Sequence, residues 1–232
     1  MKWIAGADGC KAGWVVVLRE VGTGKMEVRV AARIADVLKW KESPKVLCVG
    51  LLDRAVPGGR DCNKVARALL GQPRGSSVFS PPARRTLKAR NFTEALRLNR
   101  GTGRQAPGIS LEGFGILSKI REVNEFISPS LQKRVLEVHP EVSFYELNRR
   151  VPVVEPKRKG AGRKRRIQLL EKAWRTRVSP MIESRPRGVA RDDIIDAMAA
   201  CWTAERVLKK KGLPLPLQPP RDSRGLRMEI VR

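Results

Sequence analysis

"KWIAGADGCKAGWVVVLREV" (residues 2–21) decides the fold. Two apolar runs, 2–7 and 13–18, flank a Gly-rich turn, which is the pattern of a β-hairpin. Met26, Val28, Val30, Ala32 and Ile34 then alternate with mostly polar residues, and the period of two predicts a third strand. "KVLCVGLL" (45–52) is continuously apolar, as in a strand covered on both faces. A further short strand is expected over 134–138. Three antiparallel strands followed by alternating helices and strands predict an α/β fold: a mixed five-stranded sheet with helices on both faces. Sheets of this kind place their sites at the ends of central strands. A lone carboxylate, Asp8, ends the first run. It either starts the turn or holds something.

Working outward, "IADVLKW" reads as a short helix and "AVPGGRDC" as turn chemistry. "CNKVARALLG" reads as a helix that stops at Gly71. Residues 72–90 read as an irregular loop. Asn91 and Glu94 form a capping-box pattern before the next helix. "RGTGRQAPG" reads as a basic link and 111–126 as an amphipathic helix. "EVSFYEL" is helical, and "KRKGAGRKRR" (157–166) is a basic loop entering a helix that ends near Trp174. The longest helix is expected over 191–211, with acids in its first turn and lysines in its last. One domain over 1–211, with a helical insertion around 72–130, and a loose Pro-rich tail over 212–232 complete the organisation.

The 232 residues carry 48 Lys and Arg against 23 Asp and Glu, a formal net charge of +25. Such a field draws in polyanions, with nucleic acid the first candidate and an anionic membrane surface the second. No stretch approaches the ~18 apolar residues of a spanning helix. No basic-then-apolar leader opens the chain. Cys10, Cys48, Cys62 and Cys201 form no C-x-x-C pair, so reduced thiols in a cytoplasmic protein are expected. A redox or metal role for Cys10 and Cys62, both beside turns, is the lesser reading.

Two groups of residues are candidates for chemistry. Asp192, Asp193 and Asp196 open the last long helix, with spacings of three and four that share a helix face. With Asp8 from a strand end, Asp193 and Asp196 can bracket Mg²⁺ or Mn²⁺, the arrangement that metal-dependent phosphodiester hydrolysis needs. The plainer alternative is helix capping for Asp192 and Asp193, and turn initiation for Asp8. Glu137, His139 and Glu141 form the second group. In a strand Glu137 and His139 share a face, and His139, the single histidine, can orient water, move a proton or bind phosphate, or simply pack. Seven basic residues in 157–166 (Lys157, Arg158, Lys159, Arg163, Lys164, Arg165 and Arg166) are candidates for phosphate contact, or merely a solvated face.

The pieces "GADGCKAGWVVV", "GLLDRAVPGGRDCNKVARALLG", "SSVFSPPAR", "KIREVNEF", "EVHPEVSF", "GRKRRIQLL" and "DDIIDAMAACWTA", in that order, resemble the DUF429 family, described as predicted nucleases of RNase H-like fold. The resemblance covers about residues 4–207. It implies an RNase H-like core and an acidic site containing Asp8, Glu137 and Asp193 or Asp196. It also shows departures. Val46 stands where the family's strand acid is expected, and Asn63 and Asn124 replace two further acids. Fewer carboxylates weaken metal binding. A metal-dependent nuclease of reduced activity is therefore the first expectation, and a non-catalytic nucleic-acid binder on the same fold the second. A nucleotide-binding phosphotransferase, suggested by a loose likeness of "DGCKAGWVVV" to the phosphate hairpin of sugar kinases, ranks below both. Those enzymes duplicate the fold and need a second phosphate loop.

Overall fold

The hairpin forms as read. Strands β1 (Trp3–Cys10) and β2 (Gly13–Glu20) pair antiparallel from Trp3–Glu20 to Cys10–Gly13. Strand β3 (Met26–Ala31) adds antiparallel to β2. Strand β4 (Val46–Val49) pairs parallel with β1, and β5 (Val135–Glu137) parallel with β4. The spatial order β3-β2-β1-β4-β5 is the five-stranded α/β arrangement of an RNase H-like fold. A computed structural model describes residues 1–50, 60–79, 82–100 and 108–232. The turn expected within "AVPGGRDC", the basic link 101–107 and the end of the "KVLCVGLL" run lie wholly or partly outside the described residues.

The period of two divides the strands between two cores. Ile4, Val15, Val17, Val46, Cys48, Leu136 and Val138 face one side. Ala5, Ala7, Trp14, Val16, Leu18, Leu47, Val49 and Val135 face the other. The first side is covered by α5 (Pro140–Leu147), α6 (Gly160–Trp174), α7 (Ser179–Glu183) and the long α8 (Arg191–Leu208). On this side β1 shows Ile4, Gly6 and Asp8 in turn. A β-carbon at Gly6 would stand 2.0 Å from the Cys201 nitrogen and 2.2 Å from the Ala197 oxygen. The α8 backbone therefore rests directly on β1, a closeness that only glycine permits.

The second side is covered by a 3₁₀ turn (Ile34–Lys39) and by α4 (Leu117–Phe126). Glu122 ties them together. It accepts from Trp14 Nε1 at 3.1 Å and from the Ile34 amide at 2.6 Å. Helix α1 (Asp61–Arg74) is regular up to Gly71, which adopts φ 57°, and one further turn follows. Between α1 and β5 lie α2 (Phe92–Arg100), α3 (Leu111–Gly115) and α4, sharing a small core of Leu87, Ala95, Ile109 and Ile120. The 111–126 stretch is thus two helices broken at Ile116, not one.

The tail is not loose. Strand β6 (Pro214–Leu215) pairs with β7 (Ile230–Val231), and Val231 bridges to Val138 beyond the end of β5. Leu226, Ile230 and Val231 are buried, and Arg224 donates to the Asn124 and Ile127 carbonyls. Apolar burial of the last residues outweighs the Pro-rich composition that suggested a free end. Among the described residues no helix is long and apolar enough to cross a membrane.

Candidate functional site

Asp8 lies at the C-terminal end of the central strand, on the side that α8 covers. The parallel register carries Val49 next to Ala7, and the Gly50 amide donates to the Ala7 carbonyl at 3.0 Å. Gly50 is therefore the neighbour of Asp8. Val46 is not. It pairs with Ile4 at the other end of the strand, buried in the core, roughly 13 Å along the chain from Gly50 at ~3.3 Å per residue. The expectation that Val46 fills an acid's place beside Asp8 is corrected by this ladder.

Helix α8 brings the second carboxylate. Asp196 is 2% exposed and lines the same cavity as Asp8, a recess of about 430 Å³. Asp193 does not line that cavity. Its Oδ2 accepts from the Ala190 amide at 2.9 Å, capping α8, and it faces a neighbouring recess among Lys11, Arg163, Arg185 and Arg191. Asp192 accepts from Arg163 Nε at 3.3 Å. The capping alternative thus describes Asp193. It does not describe Asp196.

Beside the buried Asp196, within electrostatic reach of Asp8, stands a cation. Lys157 Nζ is hydrogen-bonded and ion-paired to Asp196 Oδ2, while Asp196 Oδ1 is buried without a hydrogen-bond partner. Burial pushes the Asp8 carboxyl well above its ordinary range. The like charge of Asp196 adds to the rise, and Lys157 opposes it. Burial raises Asp196 too, but there Lys157 pulls back directly. The attraction of Asp196, first, and of Asp8 holds Lys157 firmly protonated. Two acids share one ammonium, and Asp196 has the closer claim.

Glu137 and His139 line the cavity from the end of β5. Glu137 follows the pleat of Val135, on the side opposite Asp8. Arg60 Nη1 and Nη2 donate to its two oxygens at 2.7 and 2.6 Å, with both side chains buried. Its carboxylate is committed to that pair, which also fixes the start of α1. Burial pushes the His139 imidazole down to about 4, so the ring is neutral near pH 7. Its Nε2–H donates to the Ser77 carbonyl at 3.3 Å, leaving Nδ1 as a buried acceptor without a hydrogen-bond partner. A neutral ring can accept a proton or orient water, but it brings no charge to a phosphate. Asn63 lines the cavity and donates from Nδ2 to the Phe79 carbonyl at 3.2 Å. Asn124 meets Arg224 of the C-terminal segment.

The basic run divides. Lys157, Arg158 and Lys159 lie in the turn before α6, and the other four lie in its first turns, since the helix begins at Gly160. Arg158, at the cavity wall, and Lys159, Lys164 and Arg165 are exposed. Arg163 pairs with Asp192. Arg166 is the correction: it is 0% exposed, donates from Nη2 to both Glu141 oxygens at 2.9 and 2.7 Å, and binds the Glu155 and Gly162 carbonyls from Nη1. A buried guanidinium held by a carboxylate and two carbonyls does not meet phosphate. Nothing in the sequence near Arg166 separates it from Arg165. The signal lay in Glu141, an acid far along the chain.

Among the described residues, no three His, Cys, Asp or Glu side chains gather as a group able to hold a metal ion. A divalent cation between Asp8 and Asp196 would take the rest of its coordination sphere from water or substrate, but Lys157 already occupies one Asp196 oxygen. With that ammonium in place the described residues do not fit a resident Mg²⁺ or Mn²⁺. Cys10, Cys48 and Cys201 are free thiols, the last two buried, and Cys62 is buried as well.

Residues 6–221 match the family model described as "Protein of unknown function (DUF429)". The chain belongs to the DUF429 family. No match was found among curated proteins or among solved structures.

Proposed function

We propose that this DUF429 member is a basic, cytoplasmic nucleic-acid-binding protein that uses an RNase H-like sheet as its platform. The observation that carries this reading is the charge and its position. A net +25 includes exposed Arg158, Lys159, Lys164 and Arg165 on and before the first turns of α6, with Arg158 on the wall of the Asp8–Asp196 cavity. Cations spaced along one edge of a recess bind the phosphate backbone with little base preference. Free thiols at Cys10, Cys48 and Cys201 suit a reducing compartment.

A second reading, metal-dependent phosphodiester hydrolysis, is favoured by one observation: Asp8 and Asp196 line one cavity at the end of the central strand. In that reading this chain is a weak nuclease. One experiment separates the two. Labelled single- and double-stranded DNA and RNA are titrated with protein from low to physiological salt, then incubated with Mg²⁺, Mn²⁺ or EDTA. Binding should weaken with a log–log slope of about −0.9 per duplex phosphate neutralised, without cleavage. Affinity that ignores salt would refute the binding reading. Robust EDTA-sensitive cleavage would establish the hydrolytic one.

A further inference from the structure

We infer that Lys157 is the resident cation of the Asp8–Asp196 pair: its ammonium takes the place of a divalent ion and keeps metal out of the cleft. Three observations carry this.

The first is contact. Lys157 Nζ is bonded to Asp196 Oδ2 inside the cavity that Asp8 and Gly50 also line. The other Asp196 oxygen is buried without a hydrogen-bond partner, so negative potential remains to hold the ammonium there.

The second is how Lys157 is delivered. Its segment is not a free loop. Arg166, itself locked to Glu141, donates to the Glu155 carbonyl at 2.9 Å, and the Lys159 amide donates to the Pro156 carbonyl at 3.0 Å. Anchors on both sides of Lys157 leave its side chain a short, fixed reach. A lysine placed for solvent or for nucleic acid needs no such anchoring.

The third is what the cleft lacks. Gly50 offers no ligand beside Asp8, Asp193 is spent on the α8 cap, and Glu137 is spent on Arg60. Two carboxylates, one ammonium and the His139 ring remain, and among the described residues these do not gather as a metal-binding group. A divalent ion between the same carboxylates would stand close to a like charge held against the buried Asp196, and the two cations would repel.

The inference concerns the cleft that the second reading would use, but its readout is the metal alone. It stands or falls independently of nucleic-acid binding. Mn²⁺ is titrated into the unmutated protein, Lys157→Met, and Lys157→Met combined with Asp8→Asn. Bound manganese is read by electron paramagnetic resonance and by melting temperature. The unmutated protein should bind none at millimolar Mn²⁺. Lys157→Met should bind it, with melting rising by roughly 5–10 °C at a hundredfold excess over Kd, and Asp8→Asn should abolish the gain. Should Lys157→Met fail to fold, Lys157→Gln keeps a hydrogen-bond donor to Asp196 and carries the same expectation. Manganese binding by the unmutated protein that Asp8→Asn removes would overturn the inference. So would a folded charge-free variant that gains no manganese.

Discussion

Gly50 lies so close to Asp8 that a β-carbon built on it would stand 2.9 Å from Asp8 Oδ1. The atom it would press on is the end of a side chain, which can turn aside. Gly50→Asp therefore sets a second carboxylate beside the first. In the Lys157→Met background it should tighten Mn²⁺ binding by about tenfold or more, since ligand count and charge set affinity for hard cations. Val46→Asp should do the opposite. It buries an unpaired charge among Ile4 and the α8 residues, and should lower melting by on the order of 10 °C with or without manganese. Equal manganese affinity in the Gly50→Asp double variant and its Lys157→Met parent would mean that the strand end does not reach the site.

Asp8 makes the protein's stability depend on pH with a defined sign. Its folded carboxyl lies well above 3.8, raised by burial and then by Asp196. In the unfolded chain it titrates near the ordinary value. Between the two, the folded state holds more protons, so stability falls as pH rises through that window. Asp8→Asn removes the buried charge. It should melt higher than the unmutated protein at pH 7, and the gap should close as pH falls toward 4. Melting curves across pH 4–8 check this. A lower melting point for the Asn variant at pH 7 would show that Lys157 stabilises the ionised carboxylate by more than burial and Asp196 oppose it.

The sequence showed the strands because burial on two faces writes itself as local pattern. Val15, Val16 and Val17 alternate between the two cores, and the run is legible without knowing either. Helix α8 was legible for the same reason, and so was its acid cluster. What decided the site was not local. The acid beside Asp8 depends on the β1–β4 register, which is set by hydrogen bonds across some forty residues and moved the position from Val46 to Gly50. Lys157 and Arg166 read as phosphate contacts, and Glu137 as a site acid, until Asp196, Glu141 and Arg60 arrive from other elements. The C-terminal segment hid its two short strands behind prolines, although Leu226, Ile230 and Val231 already gave it apolar residues to bury.

Arg60 and Glu137 are expected to stabilise the fold and to take no part in the chemistry. Arg60→Met leaves a buried carboxylate without its bidentate donor, which costs about 3–5 kcal/mol. Melting should fall by on the order of 10 °C. Adding Glu137→Leu should recover much of the loss, because an apolar pair of similar size avoids burying either charge. Nucleic-acid affinity of the folded variants should be unchanged. A double variant no more stable than Arg60→Met, or a loss of binding that tracks Glu137 alone, would assign Glu137 a direct role at the cleft.

The basic run should separate into two functions under mutation. Lys164 and Arg165 are exposed on α6, and their charges are open to phosphate even though Arg165 also touches Asn148 Oδ1 at 2.9 Å. Replacing both with Ala removes little packing, so melting should change by no more than about 1–2 °C. If each contacts one phosphate, affinity should drop and the salt slope should flatten by roughly 1.8, two phosphates' worth. Arg166 is the reverse case. Its guanidinium joins Glu141 to the Glu155 and Gly162 carbonyls, and Arg166→Ala leaves a buried carboxylate and two carbonyls without their donor. A cost of about 3–5 kcal/mol follows, together with loosening of the segment that presents Lys157. The folded fraction of Arg166→Ala should bind nucleic acid with an unchanged salt slope, yet begin to take up Mn²⁺ as its lysine loses its fixed reach. Salt titrations and manganese resonance on the two variants read out both functions. A flattened slope in Arg166→Ala at full folding would return Arg166 to the phosphate surface and break the division drawn here.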